Sequence, residues 1–183
     1  MGSNVTESHV VEGMVVPRVS LTTVKELKGA KVVVFGCGVE AAATEAKSTV
    51  LIDNAADLIN YNKSEEKMME ETIRSIADSG VKLIIAGGPV SEIALHFIEK
   101  FEMAVFRITS KWELRRLCRT FGATAVSRLG APTPDELGSI DVMETKEFGS
   151  NKLTVFRQEG QDTGRIATII LRGSTQNTLD DLE

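Results

Sequence analysis

The sequence predicts a mixed α/β fold over its first two-thirds and antiparallel β-structure over its last third. Lys31–Phe35 and Val81–Ala86 are apolar, β-rich runs of the kind that form strands buried on both faces. Helical patterns alternate with such runs as far as Phe121, strand-like runs follow from Asp141 to Leu171, and Asp180–Glu183 is interpreted as lying in the beginning of a further helix. With 183 residues, the chain is expected to form one domain.

Further strand-like runs complete the predicted sheets. Val10–Val16 is apolar and β-favouring and ends at Pro17, and Ser48–Ile52 is a second such run that ends at Asp53. Gly-rich turns between the last strands favour antiparallel pairing there. The remaining predicted strands are Ala104–Ile108, Asp141–Phe148, Lys152–Arg157 and Arg165–Leu171.

Two helical segments between Asn54 and Ala77 predict a helix-turn-helix arm. The first is Ala55–Tyr61, capped by Asp53 or Asn54, and the second begins near Asn62 or Ser64 and ends before Gly80. Four apolar residues of the second segment share one helix face, as a packed helix requires. They are Met69, Ile73, Ile76 and Ala77.

Two more helices are predicted in the α/β part. Ser110–Phe121 begins at a capping serine and ends before Gly122. Ser91–Phe101 has an apolar stripe that is expected to face the core. The stripe consists of Ala94, Phe97, Ile98 and Phe101.

Composition and charge exclude several classes of function. The formal net charge of −5 is opposite in sign to the basic surface that nucleic-acid phosphates attract. No apolar run approaches the roughly 20 residues of a membrane-spanning helix. Residues 1–9 are interpreted as a tag remnant and flexible start, without the basic and apolar parts of a signal peptide. We therefore expect a cytoplasmic protein that contacts neither nucleic acid nor membrane.

Cys37 and Cys118 lie far apart in the sequence and lack metal-ligand spacing. The sequence leaves a disulfide between them open, although two reduced thiols are the expected state in a cytosolic protein. No metal site is predicted.

The segment Gly36-Cys37-Gly38-Val39-Glu40-Ala41 fits the loose dinucleotide-binding pattern G-x-G-x-x-G/A after a buried strand. Asp53 follows at about the distance of a ribose-binding acid, so an oxidoreductase module that uses the Gly36–Gly38 turn is the alternative hypothesis. Only Val39–Lys47 separates the two predicted strands, however, and a crossover connection usually takes a dozen or more residues. An ordinary strand-ending turn is therefore favoured.

Catalytic machinery is not predicted. The sequence contains no phosphate loop and no HExxH, GxSxG or CxxC motif. The two histidines are His9, in the predicted flexible start, and His96, on a predicted helix. A general base at His96 would need Cys118 as its nucleophile, and nothing in the sequence brings the two together.

The polar side of the Ser91–Phe101 helix has two interpretations. It combines one large aliphatic side chain, one imidazole and three charged groups, so it is either an ordinary solvated face or a groove wall that holds extended polypeptide loosely. Methionines on the arm raise the same question, since Met recurs at adaptable binding surfaces. The polar-side residues are Glu92, Leu95, His96, Glu99 and Lys100.

Six segments of the chain match a known family. They are Thr49–Ile52, Ile76–Gly80, Ala94–His96, Ser110–Cys118, Phe121–Ala125 and Leu171–Thr175. On these segments, from about Glu12 to Glu183, the chain resembles the apical domain of group II chaperonins. The Ser110–Cys118 stretch looks specific to one subunit type of the eukaryotic cytosolic complex. One departure is Gly38-Val39, where the family usually has a proline-containing pattern.

The resemblance implies a fold and a set of binding residues. Residues 10–183 would form a GroEL-like apical domain, a β-sandwich core flanked by helices, with a helix-turn-helix protrusion at about 53–79 that acts as a built-in lid. The protrusion residues singled out are Leu58, Ile59, Tyr61, Met68 and Met69, of which Tyr61 is expected at the tip and the others between the arm helices. The implied polypeptide-binding residues are Ser91, Glu92, Leu95, His96, Glu99 and Lys100, opposite a loop at the protrusion base formed by Leu51, Ile52, Asp53 and Asn54.

The resemblance also implies partners and accounts for the missing catalytic motifs. Members of this family bind ATP and Mg²⁺ in an equatorial domain, so no cofactor is expected in this chain. The implied partners are non-native polypeptide clients and the other subunits of a hetero-oligomeric double ring.

Overall fold

Seven of the described strands form one mixed sheet, and two more pair as a separate ribbon. This computed structural model describes residues 5–40, 55–148, 151–158 and 166–183, and it describes side chains in these ranges except at 55–63 and 148. The strands are β1 (His9–Glu12), β2 (Met14–Val16), β3 (Glu26–Phe35), β4 (Val81–Ala86), β5 (Ala104–Arg107), β6 (Ala125–Val126), β7 (Gly138–Phe148), β8 (Asn151–Arg157) and β9 (Ala167–Ile170). The helices are α1 (Ala55–Asp78), α2 (Glu92–Lys100), α3 (Lys111–Phe121) and α4 (Gln176–Asp180), and a 3-10 turn occupies Val5–Glu7.

The large sheet has the strand order β2-β8-β7-β3-β4-β5. Strands β3, β4 and β5 are parallel, whereas β7 runs antiparallel to β3. Beyond the end of that pairing, β6 takes the same edge of β3 and pairs with Val34 and Phe35. The small ribbon pairs β1 with β9, and the Thr168 hydroxyl joins it to the chain before β2 by donating to the Gly13 carbonyl over 2.8 Å.

The parallel strands are buried on both faces, so alternate side chains enter two separate cores. On β3, Val32 and Val34 belong to one core, and Val33 and Phe35 belong to the other. Helix α3 covers the first core with Leu117 and Phe121, among others. Helices α1 and α2 cover the second core with Met69, Ile73, Ile76, Ala94 and Ile98.

The sheet curls until its two ends face each other. Phe156 on β8 and Phe106 on β5 are four strand spacings apart, which is about 19 Å in a flat sheet. Their ring centroids are nevertheless only 5.4 Å apart, in an edge-to-face arrangement. Phe121 of α3 makes a similar contact with Phe156 at 5.5 Å. The predicted mixed α/β fold with a sandwich-like core is confirmed.

The arm was predicted as two helices separated by a turn, and this prediction is wrong. In the structure, α1 is one continuous helix. The segment contains no Gly or Pro, and Asn62 and Ser64 lie in the helix interior. Each costs less than about 0.7 kcal/mol in helix propensity, which is less than the cost of nucleating a second helix. Continuation is therefore favoured over a turn at these polar residues.

Met68 and Met69 of α1 differ in their exposure to solvent. Met69 is 5% exposed and packs on the second core with Ile73 and Ile76, so the end of the predicted 53–79 protrusion is part of the domain core. Met68 is 61% exposed, and its predicted packing between arm helices is wrong. The side chains of Leu58, Ile59 and Tyr61 and the predicted strand Ser48–Ile52 lie outside what the structure describes.

Glycines allow the loops after β3 and β4 to pack directly on each other. A Cβ at Gly88 would lie 2.7 Å from the Gly38 nitrogen and 2.8 Å from the Gly38 Cα, and one at Gly38 would lie 2.8 Å from the Pro89 carbonyl oxygen. A glycine is also required at Gly13, which has φ +129° and divides the predicted Val10–Val16 run into β1 and β2. The glycine-rich turns are thus contacts between backbones.

Replacing Gly88 by alanine should destabilise the chain, because the new methyl group meets backbone atoms that cannot rotate away. Overpacking of this kind costs about 1–3 kcal/mol. Thermal unfolding should show a Tm lower by about 2–4 °C per kcal/mol. The matched control is Gly36→Ala, where the nearest atom is 3.7 Å away and φ is not positive, so its Tm should stay near wild type. Equal Tm changes in the two variants would contradict the close loop packing.

Candidate functional site

Helix α2 begins and ends with side chains that stabilise its termini. The Ser91 hydroxyl accepts a hydrogen bond from the Ala94 N–H over 3.2 Å, which is the N-cap arrangement. Glu92 in the first turn and Lys100 in the last turn suit the helix dipole. Ser91, one of the predicted binding residues, therefore has a structural role as a cap.

The loop after β3 fixes the position where α2 starts. The Val39 N–H donates to the Pro89 carbonyl over 2.8 Å, and the Ser91 N–H donates to the Val39 carbonyl over 3.0 Å. Val39 is itself fully buried. The start of α2 is thus held by the backbone of the glycine turn that the dinucleotide pattern singled out.

One side of α2 anchors the helix in the second core. Ala94 and Ile98 are fully buried, as the predicted apolar stripe requires. Phe97 and Phe101 of the same stripe are only half-buried and lie at the edge of the core. Leu95 is half-buried and packs against this core too, so it lies at the edge of the core like Phe97 and Phe101, and not fully on the open polar side where it was predicted.

The opposite side of α2 is exposed to solvent and mixes polar and apolar groups. Glu92, His96, Glu99 and Lys100 are exposed, as predicted. Ile93, which the sequence analysis did not single out, is 41% exposed. Its i+3 and i+7 relation to His96 and Lys100 is the signal that could have identified it.

Four neighbouring side chains form a continuous strip on this helix, which we call the ledge: Ile93, His96, Phe97 and Lys100. Their i, i+3, i+4, i+7 spacing places them on one side of the helix. The His96 ring lies edge-on to the Phe97 ring, with centroids 5.5 Å apart, and the Lys100 Nζ lies 5.7 Å from the Phe97 centroid. The ledge therefore combines apolar surface with an imidazole and an ammonium group.

The ledge ends against α1. The Lys100 Nζ lies 3.1 Å from the Glu70 Oε1, and Arg74 approaches the same oxygen at 3.3 Å. Exposed ion pairs such as these contribute about 0.2–1 kcal/mol each. They orient side chains between α1 and α2 more than they stabilise the fold. The predicted facing loop, Leu51–Asn54, lies outside the described ranges.

The dinucleotide alternative gains no support from the Gly36–Gly38 turn. The Gly36 N–H donates to the Val126 carbonyl over 2.7 Å, and the Val39 N–H donates to the Pro89 carbonyl over 2.8 Å. A pyrophosphate site needs such N–H groups free at a helix N-terminus. At this turn, two of the protein's own carbonyls already accept from the N–H groups of Gly36 and Val39.

A catalytic pair of His96 and Cys118 is not formed. His96 is on α2 above the second core, whereas Cys118 packs against the first core, across the sheet. Burial raises the pKa of the Cys118 thiol, which disfavours the reactive thiolate. Cys37 and Cys118 are both free thiols, as expected.

The described residues lack both a metal-ligand cluster and a membrane-spanning helix. They contain no group of three or more His, Cys, Asp and Glu side chains that could hold a metal ion. None of the helices there is both long and apolar enough to cross a membrane.

The two sides of α2 should respond differently to truncation. Ile98→Ala removes a fully buried side chain and should cost about 2–5 kcal/mol of unfolding free energy. Ile93→Ala removes a partly exposed side chain of the same type and should change stability by about 0.5 kcal/mol or less. Urea unfolding curves measure both values, and similar costs for the two would show that the ledge is not a free surface.

Comparison with known proteins places the chain in a family. A profile of the TCP-1/cpn60 chaperonin family matches residues 1–183. The probable T-complex protein 1 subunit theta of Schizosaccharomyces pombe is 49% identical over 183 residues, which are 100% of this chain and 33% of that protein. The Saccharomyces cerevisiae and Homo sapiens theta subunits are 47% and 42% identical over 100% of this chain, with 33% of each protein covered.

A solved structure agrees with this assignment at the level of the fold. It is the open-state monomer of a group II chaperonin from Methanococcoides burtonii, with a TM-score of 0.77 at 23% identity, over 99% of this chain and 39% of that one. The chain spans about one-third of the length of the curated relatives it matches. The predicted resemblance is confirmed: the chain belongs to the TCP-1/cpn60 chaperonin family, and the relatives compared are theta subunits.

Proposed function

We propose that this chain is the polypeptide-binding apical domain of a cytosolic chaperonin subunit and that the ledge on α2 contacts non-native clients. The observation that carries the proposal is the division of α2 into a face locked in the core by Ala94 and Ile98 and an exposed face of mixed polarity. A rigid helix can offer such a surface without losing further backbone conformational entropy on binding.

Mixed polarity suits transient binding of many different chains. Ile93 and the accessible part of Phe97 offer apolar contact, while His96, Glu99 and Lys100 can hydrogen-bond to an extended backbone. Contacts of this kind are individually weak, and they discriminate little between sequences. Several domains arranged in a ring would raise the total affinity through effective concentration.

The remaining parts of the proposal follow from family membership. The part of α1 before Met69 would extend from the core as the lid-forming protrusion, with Leu58, Ile59, Tyr61 and Met68 on it, and Leu51, Ile52, Asp53 and Asn54 would form the loop at its base. ATP and Mg²⁺ would bind in parts of the longer subunit that this chain does not include. The chain would then hold clients, together with the other subunits of a hetero-oligomeric double ring, without a catalytic reaction of its own.

Charged substitutions on the ledge should weaken client binding. The variant Ile93→Asp with His96→Asp should bind a permanently unfolded probe, reduced and carboxymethylated α-lactalbumin, roughly tenfold more weakly, which corresponds to about 1.4 kcal/mol. Fluorescence anisotropy of the labelled probe at low salt measures the change in Kd.

The matched control is Leu21→Asp with Thr23→Asp, which adds the same charge and removes a similarly exposed aliphatic side chain before β3. Its affinity should remain at the wild-type value, and thermal unfolding should confirm that both variants are folded. Equal loss in the two double variants, or no loss in the ledge variant, would refute the ledge as the client site.

A further inference from the structure

Helix α3 is positively charged, although the chain as a whole is negatively charged. Four cationic residues and one acidic residue give this helix a local charge of 4 − 1 = +3, whereas the whole chain carries −5. All four cations are exposed, and none forms an ion pair with any other residue in the described ranges. The cationic residues are Lys111, Arg115, Arg116 and Arg119.

Trp112 stands among these charges and is 71% exposed. Arg115 and Arg116 follow it at i+3 and i+4, so both are its neighbours on the exposed side of the helix. An exposed tryptophan offers a large rigid apolar area, and Trp and Arg are the residue types most enriched at the energetic centres of protein interfaces. The combination indicates a docking face for another protein.

The rest of α3 holds this face in place. The Ser110 hydroxyl caps the N-terminus by accepting from the Glu113 N–H over 3.4 Å, and Gly122 ends the helix with φ +65°. Leu117 and Phe121 are buried in the first core. The docking face is therefore a rigid surface that needs no rearrangement to meet a partner.

Helix α3 lies far from the ledge, on the other side of the sheet. Helix α3 packs on the first core and α2 on the second, so the two helices lie on opposite faces of the sheet. A client held at the ledge does not extend over α3 without passing around the sheet. The α3 face is therefore a surface separate from the ledge.

We propose that the outer face of α3 docks onto an acidic surface of a neighbouring subunit in the assembled chaperonin, with Trp112 at its centre. The proposal rests on the proposed function in one respect, which is that the chain works within a multi-subunit assembly. Charge complementarity identifies the partner surface as one rich in Asp and Glu, because +3 on a single exposed helix favours an opposite charge. The partner is taken to be a neighbouring subunit, because the curated relatives are themselves named as subunits of a larger protein.

Site-specific crosslinking in the purified assembled complex tests this proposal. Trp112 is replaced by the photoreactive aromatic p-benzoylphenylalanine in the full-length subunit that contains this chain, and crosslinked peptides are identified by mass spectrometry. We expect crosslinks to one neighbouring subunit within a segment that carries several carboxylates. Crosslinks to a bound client or to nucleic acid, or no crosslink to any subunit, would overturn the proposal.

Charge reversal provides the second readout. Adding Arg115→Glu with Arg116→Glu to the crosslinking subunit should lower the crosslink yield at least about tenfold, and changing the crosslinked carboxylate of the neighbour to lysine should restore it. The control Lys25→Glu reverses an exposed cation before β3 and should leave the yield unchanged. A yield that is insensitive to the arginine reversals would also overturn the proposal.

The proposal for the ledge and the proposal for the α3 face can be refuted independently of each other. In the chain itself, Arg115→Glu with Arg116→Glu should leave binding of unfolded α-lactalbumin unchanged, since α2 is not altered. If substitution of the ledge leaves client binding intact while Trp112 still crosslinks to a neighbour, the proposed client site fails and the subunit contact holds.

Discussion

The burial of β3 on both faces is the constraint on which the other elements depend. Val32, Val33, Val34 and Phe35 are all fully buried, and successive side chains of a strand point to opposite faces. Each face must then be covered by other elements, or apolar surface would remain in water at about 25 cal/mol per Å². Helices α1 and α2 cover one face, and α3 together with the curled end of the sheet covers the other.

The burial of β3 on both faces also determines which sides of α2 and α3 remain exposed for binding. Helix α2 is fixed by Ala94 and Ile98 on its inner side, which leaves Ile93 and His96 free on its outer side. Helix α3 is fixed in the same way on the other face and leaves Trp112 outward. The domain therefore has two rigid helical surfaces that point in different directions and differ in charge. This arrangement fits a protein that holds one molecule while it is held by another.

The sequence predicts best those elements whose signals are local. Strand β4 was predicted with its observed bounds, Val81–Ala86, because a short β-rich apolar run next to Gly80 has few alternatives. Helix α3 was predicted together with both of its ends, since Ser110 and Gly122 act through their own side chain and backbone.

Elements that depend on distant partners were predicted less well. The first half of β3, from Glu26 to Lys31, is polar and contains a glycine, and it becomes a strand because it pairs with β7 more than 100 residues later. The break predicted near Asn62 is absent, since a polar residue that can cap a helix can equally lie inside a long one.

For the candidate site, the sequence predicted the helix but not all of the exposed face. Leu95 was assigned to the open side, but it lies near the boundary of the two faces, where a rotation of about 100° per residue leaves a helical wheel ambiguous. In the structure, Leu95 and Phe97 both lie at this boundary, since each is half-buried and packs on the core, whereas Ile93 is exposed. Which elements cover each face depends on the curl of the sheet, and the contact of Phe106 with Phe156 reports that curl.

The proposed function depends on the binding of unfolded polypeptide to the outer side of α2. Amide and methyl chemical shifts of the isotopically labelled chain, followed by nuclear magnetic resonance during titration with unfolded α-lactalbumin, test it most directly. We expect the largest shift changes at Ile93, His96, Phe97 and Lys100, with smaller changes that extend to Glu70. Changes concentrated instead on α3 or on the Gly36–Val39 turn, with α2 unaffected, would contradict it.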